Sequence, residues 1–468
     1  MIELECIGAA RAVTGSKHVL RTSRAVVLLD CGMFQGRRRE ANERNRALQL
    51  PVDEINAVVL SHAHIDHAGL LPLLYKHGYR GPVYATPATR DLCTPMLLDA
   101  AMIQEADARH IHKLIERERL DMEPVEPLYT HEDVTGLLGQ LVGLPYRRAY
   151  TIAPGVVLKL LDAGHVLGSS IIVLDVEDDG VRSRIAFAVD LGRKGLPILR
   201  DPEVPGGVNC LITESTYGDR RHDPIEEVDS ALAEVVNRTV RRGGKIMIPA
   251  FALERAQEVV YALKRLRAAQ RVPAVPVYVD SPLTVKLTDV FKMHPECYDK
   301  QTYARLVNGD PPFEFEGLYY VSDKEESKAI AAQPGPCIII AASGMCEAGR
   351  ILHHLREGVE DARNTILIVG FQAQHTLGRR IVERQHEVKV FGVMRRLVAE
   401  VAVLNSFSAH ADQKDLLDFA EAVRERGKLH QVVLVHGEPP AQDTLKAKLG
   451  ELGFPTVVTP VPGEKIRL

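Results

Sequence analysis

Short apolar runs recur through the first 208 residues, separated by polar and glycine-containing stretches. Runs of this length that are rich in Val, Ile and Leu predict β-strands. An Asp-Asp-Gly sequence at 178–180 predicts a tight turn between two of them. A longer and more polar stretch, roughly Thr94–Arg119, predicts a helix. The expected strands are Ile2–Ile7, Ala25–Leu29, Ala57–Leu60, Val83–Ala85, Val156–Leu161, Ile171–Val176 and Ile185–Val189.

From about residue 209 a buried apolar run alternates regularly with a helical stretch. This alternation predicts βα units and a doubly wound parallel sheet. Strands are expected at Cys210–Thr213, Lys245–Ile248, Val277–Val279, Cys337–Ala341 and Ile366–Val369, and helices near Leu253–Ala268, Leu283–Lys292, Gly349–Arg356 and Leu377–Arg384. Two more units follow, with strands at Ala399–Leu404 and Val432–Val435 and helices from Gln413 and Pro439.

The length and composition limit the classes of protein to which this chain can belong. A chain of 468 residues is too long for one ordinary hydrophobic core, so two or three domains are expected. Hydrophobic residues make up 46% of the chain, which is enough to form the cores of these domains. Basic and acidic residues nearly balance, at 58 and 62, which excludes a broadly basic protein that coats nucleic acid. Tryptophan is absent and aromatic residues make up 5%, which argues against an extensive base-stacking surface.

The cysteines and the N-terminal residues indicate the cellular compartment of the protein. Seven cysteines are scattered without a Cys-x-x-Cys pair, which favours a reducing compartment over a disulfide framework. The first residues lack the basic and apolar regions of a signal peptide. No apolar stretch reaches the roughly 18 residues needed to span a membrane. We therefore expect a soluble, cytoplasmic protein that has no membrane partner.

The most informative segment is SHAHIDHAGL, which places four metal-ligand side chains within six residues. The apolar run Ile55–Leu60 precedes it and a helical pattern follows, so the ligands lie where a strand ends and a helix begins. Four titratable groups crowded at that edge would repel one another unless an ion gave each a partner. A divalent metal satisfies imidazole and carboxylate together. These ligands are His62, His64, Asp66 and His67.

Three later positions repeat the placement of a ligand at a strand end. They are His165 in AGHVLGSS, Asp190 after RIAFAV and His436 after QVVLV. Seven ligands at strand ends suit a site with two metal ions, a clamp adapted to phosphoryl transfer. The division that we expect gives one zinc ion His62, His64 and His165, the other Asp66, His67 and His436, and both of them Asp190.

Together these motifs identify a family resemblance. HAHIDH with His165, Asp190 and an early Asp30 in LLDCG resembles the metallo-β-lactamase fold. The insertion at 209–398, followed by SAHAD and VHGE, looks like the β-CASP branch of that fold. The branch contains ribonuclease J and the endonuclease subunit of the messenger-RNA 3′-end cleavage complex. The resemblance covers essentially the whole chain.

The resemblance implies an α/β architecture, an αββα metallo-β-lactamase sandwich interrupted by a parallel-sheet β-CASP domain. Its implied boundaries are 1–208 for the first part of the sandwich, 209–398 for the insertion and 399–468 for the return segment. The active site of such a protein is expected in the cleft between the two domains.

The same resemblance assigns roles to individual residues. Asp66, Glu214 in ITEST and His410 in SAHAD are implied catalytic groups, with His410 as general acid supported by Glu214. DNA-processing members of the branch tend to have valine where His436 stands, so the histidine favours RNA. Asp30 is expected to orient a ligand histidine.

Two segments of the insertion suggest phosphate contacts. AASGMCEAGR follows an expected strand and opens an expected helix, so Ser343 and Gly344 could cradle a phosphate at a helix N-terminus. GFQAQHTLGRR offers His375, Thr376 and Arg379 in a similar turn. Other histidines and arginines suggest packing or solvated surface, with some arginines as candidates for steering RNA; they are His18, His110, His112, His353, His354, Arg37–Arg39, Arg241–Arg242 and Arg395–Arg396.

The predicted function is a ribonuclease with two zinc ions, in which a hydroxide that bridges the metals attacks the phosphodiester and His410 protonates the leaving oxygen. Cleavage inside the RNA, from its 5′ end, or both remains open, as does a homodimer. A thioester, lactam or DNA hydrolase of the same fold is an alternative, although those acting on small molecules need only the first domain. A flavin-partnered di-iron reductase is disfavoured, because glutamate typically stands there in place of His64. A non-catalytic RNA-processing scaffold is the remaining alternative.

Overall fold

The structure is a computed structural model and describes residues 1–36, 38–118, 125–370, 372–404 and 407–468. The chain forms two compact units. Unit 1 comprises Met1–Lys194, Asp201–Arg221 and His410–Leu468, and unit 2 comprises Gly195–Arg200 and His222–Ala409. These divisions differ from the expected ones at 209 and 398.

The first two stretches of unit 1, Met1–Lys194 and Asp201–Arg221, contain eleven strands and five α-helices among the described residues. Their strands are β1 (Glu3–Gly8), β2 (Lys17–Arg21), β3 (Val26–Leu29), β4 (Ala57–Val59), β5 (Val83–Ala85), β6 (Leu141–Gly143), β7 (Ala149–Ala153), β8 (Val156–Asp162), β9 (Ser170–Asp178), β10 (Val181–Ala188) and β11 (Cys210–Thr213). Their helices are α1 (Arg38–Arg46), α2 (Ile65–Ala68), α3 (Leu71–Lys76), α4 (Pro87–Glu118) and α5 (His131–Leu138), with a 3-10 turn at Val52–Glu54.

Unit 2 follows with a βα alternation and a small hairpin. Its strands are β12 (Ile246–Pro249), β13 (Val277–Asp280), β14 (Leu318–Val321), β15 (Ile338–Ala341), β16 (Thr365–Ile368), β17 (Glu387–Val390), β18 (Val393–Arg396) and β19 (Glu400–Val403). Its helices are α6 (Ile225–Arg241), α7 (Arg255–Ala268), α8 (Pro282–Met293), α9 (Lys300–Val307), α10 (Lys324–Ala332), α11 (Ile351–Gly358) and α12 (Leu377–Val382), with a 3-10 turn at Pro295–Cys297. The chain then returns to unit 1 with α13 (Gln413–Glu425), β20 (Gln431–Leu434), α14 (Pro439–Glu451), β21 (Val457–Val458) and β22 (Glu464–Arg467).

Unit 1 has an αββα architecture. One seven-stranded sheet has the order β22-β1-β2-β3-β4-β5-β6, and the other has the order β21-β20-β11-β10-β9-β8-β7. Buried and half-buried residues alternate along β8, as expected of a strand with one face in a core. Its inward residues pack with Leu4 and Leu20 of the first sheet in one apolar cluster. Phe419 of α13 and Leu445 of α14 cover the opposite face of the second sheet.

Unit 2 contains a parallel sheet with the order β14-β13-β15-β12-β16-β19. Its central strand β12 is buried along its whole length, which is typical of parallel strands covered on both faces. The predicted α/β fold with an inserted parallel-sheet domain is confirmed.

Two strands lie in a different sheet from the one that the sequence pattern predicted. The strand Cys210–Thr213 pairs with β10 and β20 in unit 1, and β19 pairs with β16 in unit 2. A buried apolar run satisfies any parallel sheet, so the pattern does not show which sheet a strand joins. The helix expected at Thr94 begins earlier, at Pro87, and its expected end at Arg119 lies outside the described residues. None of the described helices is long and apolar enough to cross a membrane.

Candidate metal centre

Most of the candidate ligands follow parallel strands in the two sheets of unit 1, whereas His165 follows the antiparallel strand β8. In the first sheet β3 and β4 are parallel, and Asp30 and the segment from His62 follow them directly. In the second sheet β10, β11 and β20 are parallel neighbours. Asp190, Glu214 and His436 follow these three strands. The topology therefore places residues that are far apart in sequence after the carboxyl ends of strands in both sheets of unit 1.

Three of these residues have an uncommon backbone conformation. Asp30, Asp190 and His436 have φ angles of 58°, 62° and 47°. Such angles are rare outside glycine, although Asp, Asn and His adopt them more readily than other residues. They persist only where surrounding contacts hold them, at a cost of about 1–3 kcal/mol each. The chain therefore turns sharply at the polar residue that follows each of these strands.

Two glycines allow loops to pack directly against the ligand segments. A Cβ atom added to Gly32 would lie 1.6 Å from the carbonyl oxygen of Asp66. A Cβ atom added to Gly192 would lie 1.9 Å from the carbonyl oxygen of Gly164, the residue before His165. At both positions the absence of a side chain sets the distance between a loop and a ligand segment.

The first group of candidate ligands contains three histidines and one carboxylate. One ligand atom from each of His62, His64, His165 and Asp190 lies within 4.8 Å of the others. Nε2 of His62 and Nε2 of His165 each lie 3.4 Å from Oδ2 of Asp190. Neither ring nitrogen of His165 has a hydrogen-bond partner among the described residues, although the side chain is almost completely buried.

The second group contains Asp66, His67 and His436, whose ligand atoms also lie within 4.8 Å of one another. Nε2 of His67 lies 3.3 Å from Nε2 of His436, and Oδ2 of Asp66 lies 3.6 Å from the same His436 atom. Asp190 links the two groups, because its Oδ2 lies 3.4 Å from Nε2 of His67 and its Oδ1 lies 3.1 Å from Nδ1 of His436. The seven side chains thus lie in two neighbouring groups, and Asp190 approaches ligand atoms of both.

The histidines of the first group are in the protonation state that favours metal binding. Burial lowers the pKa of His64 to about 3, and it also lowers the pKa of His62 and of His165. These imidazoles are therefore neutral, which is the form that binds a metal ion. Burial would raise the pKa of Asp190, but the nearby His436 and other histidines outweigh it and hold that pKa well below its ordinary value.

Glu214 and His410 form a pair beside the two groups. Nδ1 of His410 lies 3.2 Å and 3.1 Å from the two carboxylate oxygens of Glu214. Glu214 is completely buried and also accepts a hydrogen bond of 2.5 Å from the backbone amide of Leu191. The ring of His410 lies 4.5 Å from that of His165. Burial would lower the pKa of His410, but the carboxylates of Glu214 and Asp190 raise it to about 9.

The phosphate contacts expected in unit 2 fit the structure less well. Ser343 and Gly344 precede α11 by several residues, because that helix begins at Ile351, so the expected helix N-terminus does not lie at these positions. His375 is exposed with a φ angle of 70°. Arg379 forms an ion pair of 2.6 Å with Glu383 on its own short helix. The predicted starts of the two helices, near Gly349 and Leu377, agree with the structure to within two residues, but Ser343 and Gly344 lie too far before the first of them to be its N-terminus.

Other singled-out residues lie in packing or ion pairs. His18 is buried with its ring 5.3 Å from that of Phe187, and His354 lies 2.6 Å from Asp280. Arg242 and Arg395 form ion pairs with Glu400 and Glu360. Arg37 lies outside the described residues.

Comparison with known proteins agrees with this geometry. Residues 14–181 match the model of the metallo-beta-lactamase superfamily, and residues 256–381 match that of the Beta-Casp domain. Residues 395–460 match a Zn-dependent metallo-hydrolase RNA specificity domain. Ribonuclease TTHA0252 of Thermus thermophilus is 38% identical over 92% of this chain and 92% of its own length. The chain belongs to the β-CASP branch of the metallo-β-lactamase superfamily.

Further relatives of this β-CASP protein are longer. Transcription termination factor FttA of Methanosarcina mazei is 32% identical over 94% of the chain and 67% of its own length. FttA of Thermococcus kodakarensis is 32% identical over 93% of the chain and 67% of its own length. A crystal structure of a protein of unknown function from Enterococcus faecalis V583 covers 100% of the chain at 13% identity, with a TM-score of 0.54. The similarity to this crystal structure concerns the fold alone. The family resemblance inferred from the sequence is confirmed by the family models and by the similarity to the Thermus thermophilus protein.

Proposed function

We propose that this β-CASP protein is a zinc-dependent ribonuclease that hydrolyses phosphodiester bonds of single-stranded RNA with two metal ions. The observation that carries the proposal is the convergence of seven imidazole and carboxylate ligands beside the His410–Glu214 pair. The similarity to a protein named ribonuclease supports RNA as the substrate.

The residues present fit a pair of zinc ions. Nitrogen and oxygen ligands of this kind are the ones that zinc prefers. The buried imidazole of His165, with neither nitrogen hydrogen-bonded among the described residues, lacks the partner that a metal ion would supply. His62, His64 and His165 would hold one ion and Asp66, His67 and His436 the other, with Asp190 shared. Two bound ions would activate a water molecule and neutralise the charge of the phosphate.

The protein's own groups would manage the protons of the reaction. Water adds to phosphorus and the bond from phosphorus to the 3′-oxygen breaks, which leaves a 5′-phosphate. Glu214 holds Nδ1 of His410 in the protonated form, so Nε2 is the atom that we assign to proton donation to the leaving oxygen. Asp66, 19% exposed at its side chain, is assigned as acceptor of the proton from water.

The test combines metal analysis with RNA cleavage by the purified full chain. We expect two zinc ions per chain and cleavage of end-labelled RNA, with the product ladder on 5′-phosphate, 5′-hydroxyl and 5′-triphosphate RNAs separating internal from 5′-terminal cleavage. Asp190→Asn keeps the size and tolerates the positive φ angle, but removes the shared negative charge. It should lose zinc and activity, whereas the exposed control Asp53→Asn should keep both.

The same experiment distinguishes the alternatives. A chain that binds less than one zinc ion and binds RNA without cutting it would be a scaffold. Turnover of a thioester or of nitrocefin faster than RNA would indicate a different hydrolase. Full cleavage by Asp190→Asn would refute the role assigned to Asp190.

A further inference from the structure

The carboxyl edge of the parallel sheet in unit 2 carries an exposed aromatic side chain. Phe251 follows β12 by two residues and is 40% exposed. Since β12 lies between β15 and β16, the loops after those two strands flank the loop that contains Phe251. Ligands of open α/β sheets bind at this edge. Burying this ring against a ligand would recover apolar surface that the folded chain leaves in water.

Two glycines form the surface against which the Phe251 ring packs. A Cβ atom added to Gly344 would lie 2.9 Å from Cδ2 of Phe251 and 3.0 Å from its backbone nitrogen. A Cβ atom added to Gly370 would lie 3.6 Å from Cε2 of the same ring. One edge of the ring therefore packs against the bare backbone of both flanking loops. At Gly344 any side chain would displace the ring.

A buried glutamine ties the two flanking loops together. Gln372 is 6% exposed, and its Nε2 donates hydrogen bonds to the carbonyl oxygens of Gly344 and Gly370, at 3.0 Å and 3.1 Å. The surface behind Phe251 is thus held by internal hydrogen bonds. A ring that is fixed before binding loses little conformational entropy when a ligand stacks on it.

Phe251 differs from Phe391 and Tyr319, two other exposed aromatic residues of unit 2. The ring of Phe391 lies 4.7 Å from that of His353, with Arg356 5.9 Å above it. Tyr319 stacks on Tyr278, with 5.3 Å between ring centroids. Among the described residues no aromatic ring or cationic group stacks on Phe251.

We infer that Phe251 is a base-stacking residue, on which an unpaired nucleobase of single-stranded RNA packs. The inference rests on the proposed ribonuclease function and adds to it an RNA contact in unit 2. Every base has an aromatic face, so the contact tolerates different sequences. RNA that is folded into a duplex hides these faces, so the contact selects single strands.

The test measures RNA binding separately from cleavage. The zinc-loaded full chain is mixed in a stopped-flow instrument with a single-stranded RNA that contains 2-aminopurine, whose fluorescence falls when it stacks. Phe251→Ala should abolish the quenching and weaken binding about 5- to 150-fold, the range for loss of one base–aromatic stack. Phe251→Trp should retain both signals. Phe251→Leu keeps apolar bulk without an aromatic face and should resemble alanine. Phe391→Ala makes the same chemical change elsewhere in unit 2 and should have no effect.

A second pair of variants tests how the ring is positioned. Gly344→Ala should weaken RNA binding in the wild-type background and have no further effect in Phe251→Ala, because both act through the same ring. Additive losses would show that Gly344 acts independently and would contradict the proposed packing.

The outcomes separate this inference from the proposed function. Cleavage of RNA with unchanged quenching in Phe251→Ala would overturn the inference and leave the ribonuclease assignment standing. Quenching that depends on Phe251 without any cleavage would support the inference and refute the ribonuclease. Equal losses in Phe251→Ala and Phe391→Ala would also overturn the inference. Thermal unfolding of each variant verifies that it is folded.

Discussion

Oδ2 of Asp30 lies 2.7 Å from Nδ1 of His67, and both side chains are completely buried. The same carboxylate accepts hydrogen bonds from the hydroxyls of Ser16 and Ser61 and from the backbone amide of Ser61. The imidazole is therefore held with Nε2 directed at Asp190 and His436. Such a partner fixes the tautomer and orientation of a metal-binding histidine.

Replacing Asp30 by asparagine should weaken zinc binding without unfolding the chain. Asparagine tolerates the φ angle of 58° at this position, but it removes the charge opposite His67. Loss of such a partner typically reduces metal affinity or activity about 10- to 100-fold. Zinc titration against a competing chelator measures the effect, with Asp53→Asn as the exposed control. Unchanged zinc affinity would show that Asp30 has only a structural role.

Removal of the His410 side chain should separate metal binding from cleavage. His410 lies outside the two expected ligand groups, so His410→Ala should retain both zinc ions. Cleavage should fall about 10²- to 10⁴-fold, the usual contribution of a general acid. Glu214→Gln should lower cleavage less, and the double variant should be no worse than His410→Ala. The exposed His131→Ala is the matched control. Loss of zinc from His410→Ala would contradict the assignment.

A methyl group at Gly32 should disrupt the ligand segment. The added Cβ would lie 1.6 Å from the carbonyl oxygen of Asp66, so the backbone must move. We expect Gly32→Ala to destabilise the protein by at least about 1–3 kcal/mol, as overpacking of a tight site does, and to lower zinc content. Gly450→Ala provides the control, because nothing lies within 4 Å of that position and alanine favours its helix. Urea unfolding and metal analysis would check both variants, and wild-type values for Gly32→Ala would refute the tight packing.

The stability of unit 2 should depend on the ionised form of Asp280. Burial would raise the pKa of Asp280, but hydrogen bonds from His354, Ser327 and Arg350 outweigh it and lower that pKa. A lowered folded-state pKa contributes stability that is complete above the unfolded value of about 3.9 and is lost as the pH falls towards the folded value. Asp280→Asn should therefore be destabilised most at neutral pH, by about 3–5 kcal/mol for a broken buried pair.

Urea unfolding at pH 7, 5 and 3.5 measures this dependence. The difference between wild type and Asp280→Asn should stay constant from pH 7 to pH 5 and shrink below about pH 4. Asp361→Asn is the control for an aspartate whose pKa is also lowered but which lies near the surface. A constant difference down to pH 3.5 would show that the ionisation of Asp280 contributes nothing.

Much of the fold could be predicted because its strands are short, buried and bounded by turns. The strands Val83–Ala85 and Cys210–Thr213 have the expected bounds, and the turn after Asp178 joins β9 to β10. The metal motif could be found because four ligands lie within a few residues of one another. Hydrophobic pattern alone could not show which sheet received Cys210–Thr213, since a fully buried strand looks alike in either sheet.

Other features depended on contacts that no local pattern records. The sequence alone indicates no role for Phe251, because a single phenylalanine beside an apolar strand usually lies in the core. Its exposure becomes visible only once Gly344 and Gly370 are seen beside it. The start of α11 at Ile351, by contrast, lies within two residues of the start that the sequence predicted.

The distribution of the ligands along the chain has a consequence for biosynthesis. His436 follows β20, and β20 pairs with β11, a strand that is synthesised before the His222–Ala409 part of unit 2. While the ribosome is still translating unit 2, the nascent chain already displays His62, Asp66 and Asp190 but cannot yet complete their surroundings. The proposed second ion can therefore meet its full set of ligands only after His436 has been synthesised. Completion of the second ligand group is therefore coupled to the synthesis of almost the entire polypeptide.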